Sequence, residues 1–360
     1  MNVTIVEVKK TENWDNQISQ FNGSLFLYSS FLESIEDSEK KPVFFEFRNG
    51  NETIAMLSGI IRPVKKTSEK QLFFFSGIAC RVDDDLAFAE CKESLINYAS
   101  QNSYARVIFE IYDEINYRKV VSKHIKIARD RSEFVIYLDT NKEEILNGFN
   151  PNVRRLARKA KRQGAILKYG QSSTLLNKLY DLMEQTHEER TAKYGNNQIT
   201  ALPFLDYEKL QKLLDDGLAQ FCYIEHEQEI LCIQYNIVIG NLVYGLLMGT
   251  NKKGYKLGAP SMLFHEVIQD YREKGYIRYN LGGVSMVDKK LEGIKKFKLS
   301  MGAKMVESKQ ENTLFLNPPL SRLNFILICK QFISNLKIPR VIKKQLLKLT
   351  SLFLKGTDKY

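Results

Sequence analysis

Glycines at two strand ends and a run of arginines are the features of this chain with the clearest chemical use. Gly254 and Gly258 lie in the stretch NKKGYKLGAP, read as a loop, with Lys256 between them. Pro260 stands where a first helical residue belongs, because its missing N–H costs nothing there. Further on, Gly282-Gly283 closes an apolar strand. Where a strand feeds a helix, free backbone N–H groups can hold a phosphate or a developing oxyanion. Ahead of both, PNVRRLARKAKRQG carries Arg154, Arg155, Arg158, Lys159, Lys161 and Arg162 without one acidic residue. Like charges crowded on one helix repel each other. With nothing to compensate them, they are expected to track phosphate rather than merely to solvate a face.

Groups suited to acid–base work are fewer. Glu110 and Asp113 follow a strand of the first half. Open α/β sheets place ligands at strand ends, although carboxylates there are also ordinary turn formers. His124, His187, His226 and His265 are isolated from one another, so no Ser-His-Asp arrangement is indicated. His265, inside the helix after the glycines, is expected to be structural. Cys80, Cys91, Cys222, Cys232 and Cys329 are odd in number and scattered, and neither CxxC nor HExxH spacing occurs. No disulfide framework, metal site or permanently bound cofactor is expected.

The elements that must position these groups read as follows. Residues 230–249 form a hairpin broken at Gly240-Asn241, a pair able to take positive φ. Leu263, Phe264, Val267, Ile268 and Tyr271 then recur at helical spacing up to Gly275. Ile277, Tyr279 and Leu281 alternate as a strand, and Leu291, Ile294, Phe297 and Met301 would bury the following helix. Upstream, a helix over 174–193 sets Arg190 and Tyr194 one turn apart on one face. In the first half, strands are predicted at 3–8, 42–47, 53–61, 71–76, 105–112 and 133–138. A helix at 85–101 turns Leu86, Ala89, Leu95 and Tyr98 inward. Hairpins followed by alternating helices and strands predict a mixed α/β fold with largely antiparallel sheets flanked by helices. The boundaries expected are 1–140, 141–308 and a tail of 309–360.

The chain of 360 residues is 44% apolar and 26% charged, ordinary for a folded protein, but its net charge of +11 points to an anionic partner. Residues 320–356 are basic without acidic residues. There Ile342, Leu346, Leu349 and Phe353 line one side of a helix, opposite Arg340, Lys343, Lys344 and Lys348. This pattern suits either an anionic membrane surface or a terminal hairpin packed on the protein. The N-terminus lacks a signal-peptide core and no apolar run reaches membrane-spanning length, so a cytoplasmic protein is expected, with peripheral contact at the inner membrane face through 320–356.

Four stretches, in order, resemble a known family: NGSLFLYSSFLESIEDSEKKPVFFEFRNGNETIAMLSGII, LDTNKEEILNGFNPNVRRLARKAKRQGA, LGAPSMLFHEVIQDYREKGYIRYNLGG, and GIKKFKLSMGA. They are similar to the Fem group of peptidoglycan interpeptide-bridge aminoacyltransferases and its acyltransferase relatives, in the GNAT (GCN5-related N-acetyltransferase) superfamily. The resemblance, over about 20–308, implies tandem GNAT-like domains, with acyl or aminoacyl transfer in the second. The donor it implies is aminoacyl-tRNA or acyl-CoA. The acceptor it implies is an amine of a nucleotide-linked or lipid-linked cell-envelope precursor. Phe297-Lys298 fall on the family's Phe-Lys pair, whose lysine holds donor phosphate and supports the reacting carbonyl. Arg190 and Tyr194 fall on an Arg/Tyr pair that contacts the acceptor's nucleotide diphosphate. The chain departs from the family in lacking a long heptad insertion, in Asn280 where an acidic residue is frequent, and in its longer basic tail. A non-catalytic RNA- or membrane-binding protein that keeps this fold is the alternative.

Overall fold

The computed structural model describes residues 3–10, 13–64, 69–81, 84–118, 125–194, 205–285 and 292–314, with short stretches between 329 and 348. Two units emerge, Met1–Asp130 with Ser308–Tyr360, and Arg131–Glu307. The seam therefore lies ten residues before the boundary read from sequence, and the return segment belongs with the first unit.

In the first unit, β1 (Val3–Val8) is followed by α1 (Trp14–Gln20) and α2 (Ser29–Ser34). The antiparallel meander β2 (Lys41–Asn49), β3 (Glu52–Pro63) and β4 (Lys70–Phe74) comes next, with β1 beside β2. Gly50, at φ +61°, makes the tight turn between β2 and β3. The short β5 (Ala79–Cys80) pairs with β3, and α3 (Asp85–Gln101) then crosses to β6 (Arg106–Glu110), which runs parallel to β4. Aromatic rings fill this core: Trp14, Phe26, Phe45 and Phe74 are wholly buried. The phase of α3 differs from the sequence expectation. Asp84 caps it by accepting from the Leu86 N–H at 2.8 Å, and the buried face is Ala87, Phe88, Cys91, Leu95, Ile96 and Ala99. Leu86, in the capped first turn, is 77% exposed.

In the second unit, β7 (Ile125–Tyr137) leads through α4 (Lys142–Gly148) and α5 (Pro151–Arg162) to β8 (Ile166–Gly170). Then come α6 (Ser173–Tyr194) and α7 (Tyr207–Asp215), the meander β9 (Ala219–His226), β10 (Glu229–Ile239) and β11 (Leu242–Thr250), and α8 (Lys252–Leu257). The crossover helix α9 (Ala259–Glu273) reaches β12 (Arg278–Ser285), parallel to β11, and α10 (Glu292–Ser300) ends the unit before β13 (Lys304–Leu314). Strand order here is β7-β12-β11-β10-β9-β8. Its core lies under α9, where Leu263, Phe264, Val267, Ile268 and Tyr271 meet Phe134, Ile136, Val243 and Tyr279.

The two units share one plan: a strand, two helices, a three-stranded meander, a crossover helix and a parallel strand. Each crossover strand also has an antiparallel neighbour on its far side. That neighbour is β13 for β6, through Gln310↔Glu110 to Leu314↔Arg106, and β7 for β12, through Arg278↔Tyr137 to Ser285↔Arg131. In chain order β7 follows β6 and β13 follows β12. The closing strands are exchanged.

Candidate functional site

Beyond the hairpin, one strand pair of the second unit opens. β11 and β12 pair only over Leu242–Tyr244 with Arg278–Asn280. Both strands bulge where they part. On β11, Tyr235 faces Leu247 and Asn236 faces Gly245, so Leu246 has no counterpart in the ladder. On β12, Asn280 faces Val135 and Gly283 faces Glu133, leaving Leu281 and Gly282 opposite one residue of β7. Gly282 takes φ +79°, and its N–H donates to Asn280 Oδ1 at 2.7 Å. The strand expected to end at this glycine pair instead continues through it to Ser285.

A buried polar network holds the bulges. The Tyr279 hydroxyl lies 2.8 Å from Gln234 Oε1 and 2.9 Å from Asn236 Oδ1. Asn236 Nδ2 donates to Cys222 Sγ at 2.7 Å. Gly245 lies beside it, where a Cβ would stand 2.7 Å from Gln234 Nε2 and push that side chain from its place in the network. Burial pushes the Tyr279 phenol well above its ordinary range and the Cys222 thiol up to about 12, so both stay neutral and serve as hydrogen-bonding props.

Lys298 reaches the opening from α10. Its Nζ donates to Gly282 O at 2.7 Å and lies 3.4 Å from Gly283 O, above the Phe134 ring at 5.5 Å. Phe297 anchors the helix edge-on against Phe264, centroids 5.6 Å apart, and Ile294 packs on the same core. Leu291 lies outside the described residues. The space a side chain at Gly282 would take is ringed by Lys298 Nζ at 3.6 Å, Gly245 O at 3.6 Å and the Tyr244 hydroxyl at 3.7 Å. Tyr244 in turn donates to Glu133 Oε2 at 3.5 Å, and Glu133 is fully buried. A cation, a phenol, a carboxylate and an open strand edge thus converge on one glycine. Such a set can hold a carbonyl and accept the charge that develops on it.

The glycine stretch is not a loop. Asn251 caps α8 by accepting from the Gly254 N–H at 2.7 Å, and the Gly258 N–H bonds Gly254 O at 3.0 Å. Gly258, at φ +92°, turns the chain into α9 with Pro260 in its first turn. Both glycines also permit close packing: a Cβ on Gly254 would lie 2.5 Å from Leu231 O, and one on Gly258 3.0 Å from Leu156 O of α5. The basic helix α5 is therefore seated against this junction. Lys159 Nζ donates to Lys256 O at 2.8 Å, and Lys161 pairs with Glu266 at 3.0 Å. These bonds correct the expectation of an uncompensated helix. Arg154, Arg155, Arg158 and Arg162 have no carboxylate partner among the described residues, and Lys256 is exposed beside them. The His265 ring and then the Lys161 ammonium hold the Glu266 carboxyl down to about 2. His265 also contacts Gln269, the structural setting expected for it.

The remaining sequence candidates lie elsewhere. Arg190 and Tyr194 end α6, with their side chains outside the described residues. Glu110 and Asp113 belong to the first unit. Glu110 ends β6, and buried Asp113 accepts from the Ser24 hydroxyl and from the Ile115 N–H at 3.2 Å, holding a turn. Of the tail, residues 342–348 are helical with Ile342 47% exposed, and most of 320–356 lies outside the described residues. No helix of the described residues is long and apolar enough to cross a membrane. Sequence reasoning missed Glu133 and Tyr244, whose signal was a polar group inside an otherwise apolar strand.

Residues 148–298 match the acetyltransferase (GNAT) domain family. Among solved structures, FemX is similar at 14% identity with a TM-score of 0.66, over 88% of this chain and 99% of that one. A conserved protein of unknown function from Bacteroides thetaiotaomicron VPI-5482 is similar at 11% identity and TM-score 0.57, over 87% and 100%. L-PGS from Bacillus licheniformis stands at 17% identity and TM-score 0.48, over 98% and 100%. No curated protein matches the sequence. Residues 148–298, from the basic helix to Lys298, are thus similar to a GNAT domain, carried in a chain whose fold is similar to that of FemX.

Proposed function

We propose that the chain transfers an aminoacyl or acyl group from a phosphate-bearing carrier to an amine of a cell-envelope precursor. The observation that carries this reading is the parting of β11 and β12 with Lys298 at its mouth. The ladder-free edge of β11 after Tyr244 supplies backbone donors to the carbonyl. Lys298 supplies positive charge as the oxyanion forms, and Phe297 fixes the direction of its helix. One donor of this kind is worth about 3 kcal/mol of transition-state stabilisation.

The carrier's phosphates would lie along α5 and the α8–α9 junction, on Arg154, Arg155, Arg158 and Lys256, with Gly254 and Gly258 seating α5 against that junction. Because the amides of both glycines are already bonded within α8, side-chain cations rather than a backbone cradle would hold phosphate. This favours tRNA over the compact pyrophosphate of coenzyme A. Arg190 and Tyr194 are assigned to the acceptor, nucleotide-linked or lipid-linked, and the basic tail 320–356 to contact with an anionic membrane.

Purified protein should move label from alanyl-tRNA to a muropeptide precursor, with affinity for tRNA falling steeply as salt rises. A shallow salt dependence together with transfer from acetyl-CoA would assign the thioester instead. The arginines of α5, without a carboxylate partner among the described residues, favour one other reading, a binding protein without chemistry. Under it, Lys298→Ala keeps full biological activity while Arg154→Glu, Arg155→Glu and Arg158→Glu together abolish it.

A further inference from the structure

The opening between β11 and β12 is approached from two faces of the sheet, and the groups at its rim divide between them. Phe134, Val243 and Tyr279 face α9 in the core. Lys298 comes from this side, lying over Phe134, while Phe297 packs on Phe264 of α9. Side chains alternate along a strand, so Glu133 and Tyr244 face the other way. Their cross-strand neighbours agree. Tyr244 is paired with Ile237, which shares a face with Tyr235, and the Tyr235 hydroxyl donates to Leu210 O of α7 at 2.8 Å. α6 covers the same face of β11: Thr186 Oγ1 donates to Thr250 O at 3.0 Å, and Gly249 abuts Leu182. The cation and the carboxylate–phenol pair therefore meet across the sheet only at Gly282, where no side chain intervenes.

Resting on the acyl-transfer reading, we infer that the two faces divide the reaction. The carrier enters on the α5, α9 and α10 side, and the amine enters on the α6 side, where Tyr244 and Glu133 take its proton. An amine acceptor is largely protonated at neutral pH and must lose a proton to attack. Its nitrogen forms the new bond to the carbonyl carbon while the bond from that carbon to the carrier's oxygen or sulfur breaks. Before attack, one ammonium proton passes to the Tyr244 oxygen as the phenol's own proton passes to Glu133, which frees the nitrogen lone pair. The second proton, lost from nitrogen as the amide forms, goes to the leaving oxygen or sulfur, and Glu133 releases its proton to solvent and ends the cycle as a carboxylate. Tyr244 is the group that touches the acceptor, and Glu133 acts through it. Glu133 is the buried carboxylate placed to do so, and it sits opposite Gly283, whose carbonyl lies 3.4 Å from Lys298 Nζ.

The test compares nucleophiles, because a merely structural role would affect all of them alike. With alanyl-tRNA or acetyl-CoA as donor, whichever the wild type turns over, Glu133→Gln and Tyr244→Phe should each lower kcat for Nα-acetyl-lysine by about 10²–10⁴-fold. The donor KM should stay within about twofold, as uniform binding is untouched. Transfer to hydroxylamine, already neutral at pH 7, should fall less than about tenfold. The double variant should be little worse than either single one, as for residues that act as a unit. Equal losses with both nucleophiles, or wild-type kcat in Glu133→Gln, overturn the inference while leaving acyl transfer standing. Absence of wild-type transfer from either donor to any amine overturns acyl transfer itself, and this inference with it.

Discussion

Gly282 shows how much a single position without a side chain can settle. Its φ of +79° costs an L-residue about 1–2 kcal/mol, and its missing Cβ keeps the Lys298 ammonium, the Gly245 carbonyl and the Tyr244 phenol facing one space. Gly282→Ala should lower stability by about that strain in urea titration and remove transfer more than the stability loss accounts for. Glu266 makes stability depend on pH. Its carboxyl is held down to about 2, first by His265 and then by Lys161. Its contribution is thus fully present above the ordinary carboxylate range near 4.3 and is lost as pH falls from there toward 2. Glu266→Gln should cost about 0.5 kcal/mol at pH 7, the size of a partly exposed pair, and the gap from wild type should close in acid melts below pH 4. Lys298 was reached from the sequence only through resemblance, since it lies among Lys290, Lys295 and Lys296. Glu133 was not reached at all, because it stands at the start of the apolar run FVIYL, next to Arg131 and Ser132, where a carboxylate reads as an exposed strand end.

Among the elements, α8 was the least legible. Six residues with an internal glycine give too little periodicity to be read as a helix, and the deciding signal, Asn251 capping Gly254, is a single side chain. The long helices were legible because burial enforces their period, as in α9. The phase of α3 was misread because Leu86 is apolar yet lies in the capped first turn. The seating of α5 against the α8–α9 junction leads to two outcomes that separate packing from charge. Gly254→Ala forces a methyl against Leu231 O and should cost about 1–3 kcal/mol in thermal or urea unfolding, the range for overpacking. Reversing Arg154, Arg155 and Arg158 breaks no ion pair among the described residues, so unfolding should shift little while the salt slope of tRNA binding flattens.

At the scale of the molecule, hairpin and crossover patterns made the mixed α/β class readable, since local turns set them. The exchange of β7 and β13 was not readable, because pairing between strands distant in sequence leaves no local periodicity. In the first unit the returning strand is fastened by a buried ion pair, Lys92 of α3 with Glu311, beside Phe109. Lys92→Met alone would leave a buried carboxylate without its cation and should cost about 3–5 kcal/mol, whereas Lys92→Met with Glu311→Leu should lie near wild type. Urea titration of the three proteins checks this.

That fastening has a consequence for birth on the ribosome. Residues 106–110 are made early, but the segment that covers their free flank, 310–314, emerges only after the entire second unit. At about 5–20 residues per second, the nascent first unit spends roughly ten to forty seconds with a bare, apolar sheet margin. A circularly permuted gene that begins at residue 304, and so translates 310–314 before 106–110, should give more soluble protein in a chaperone-depleted extract than the natural order does.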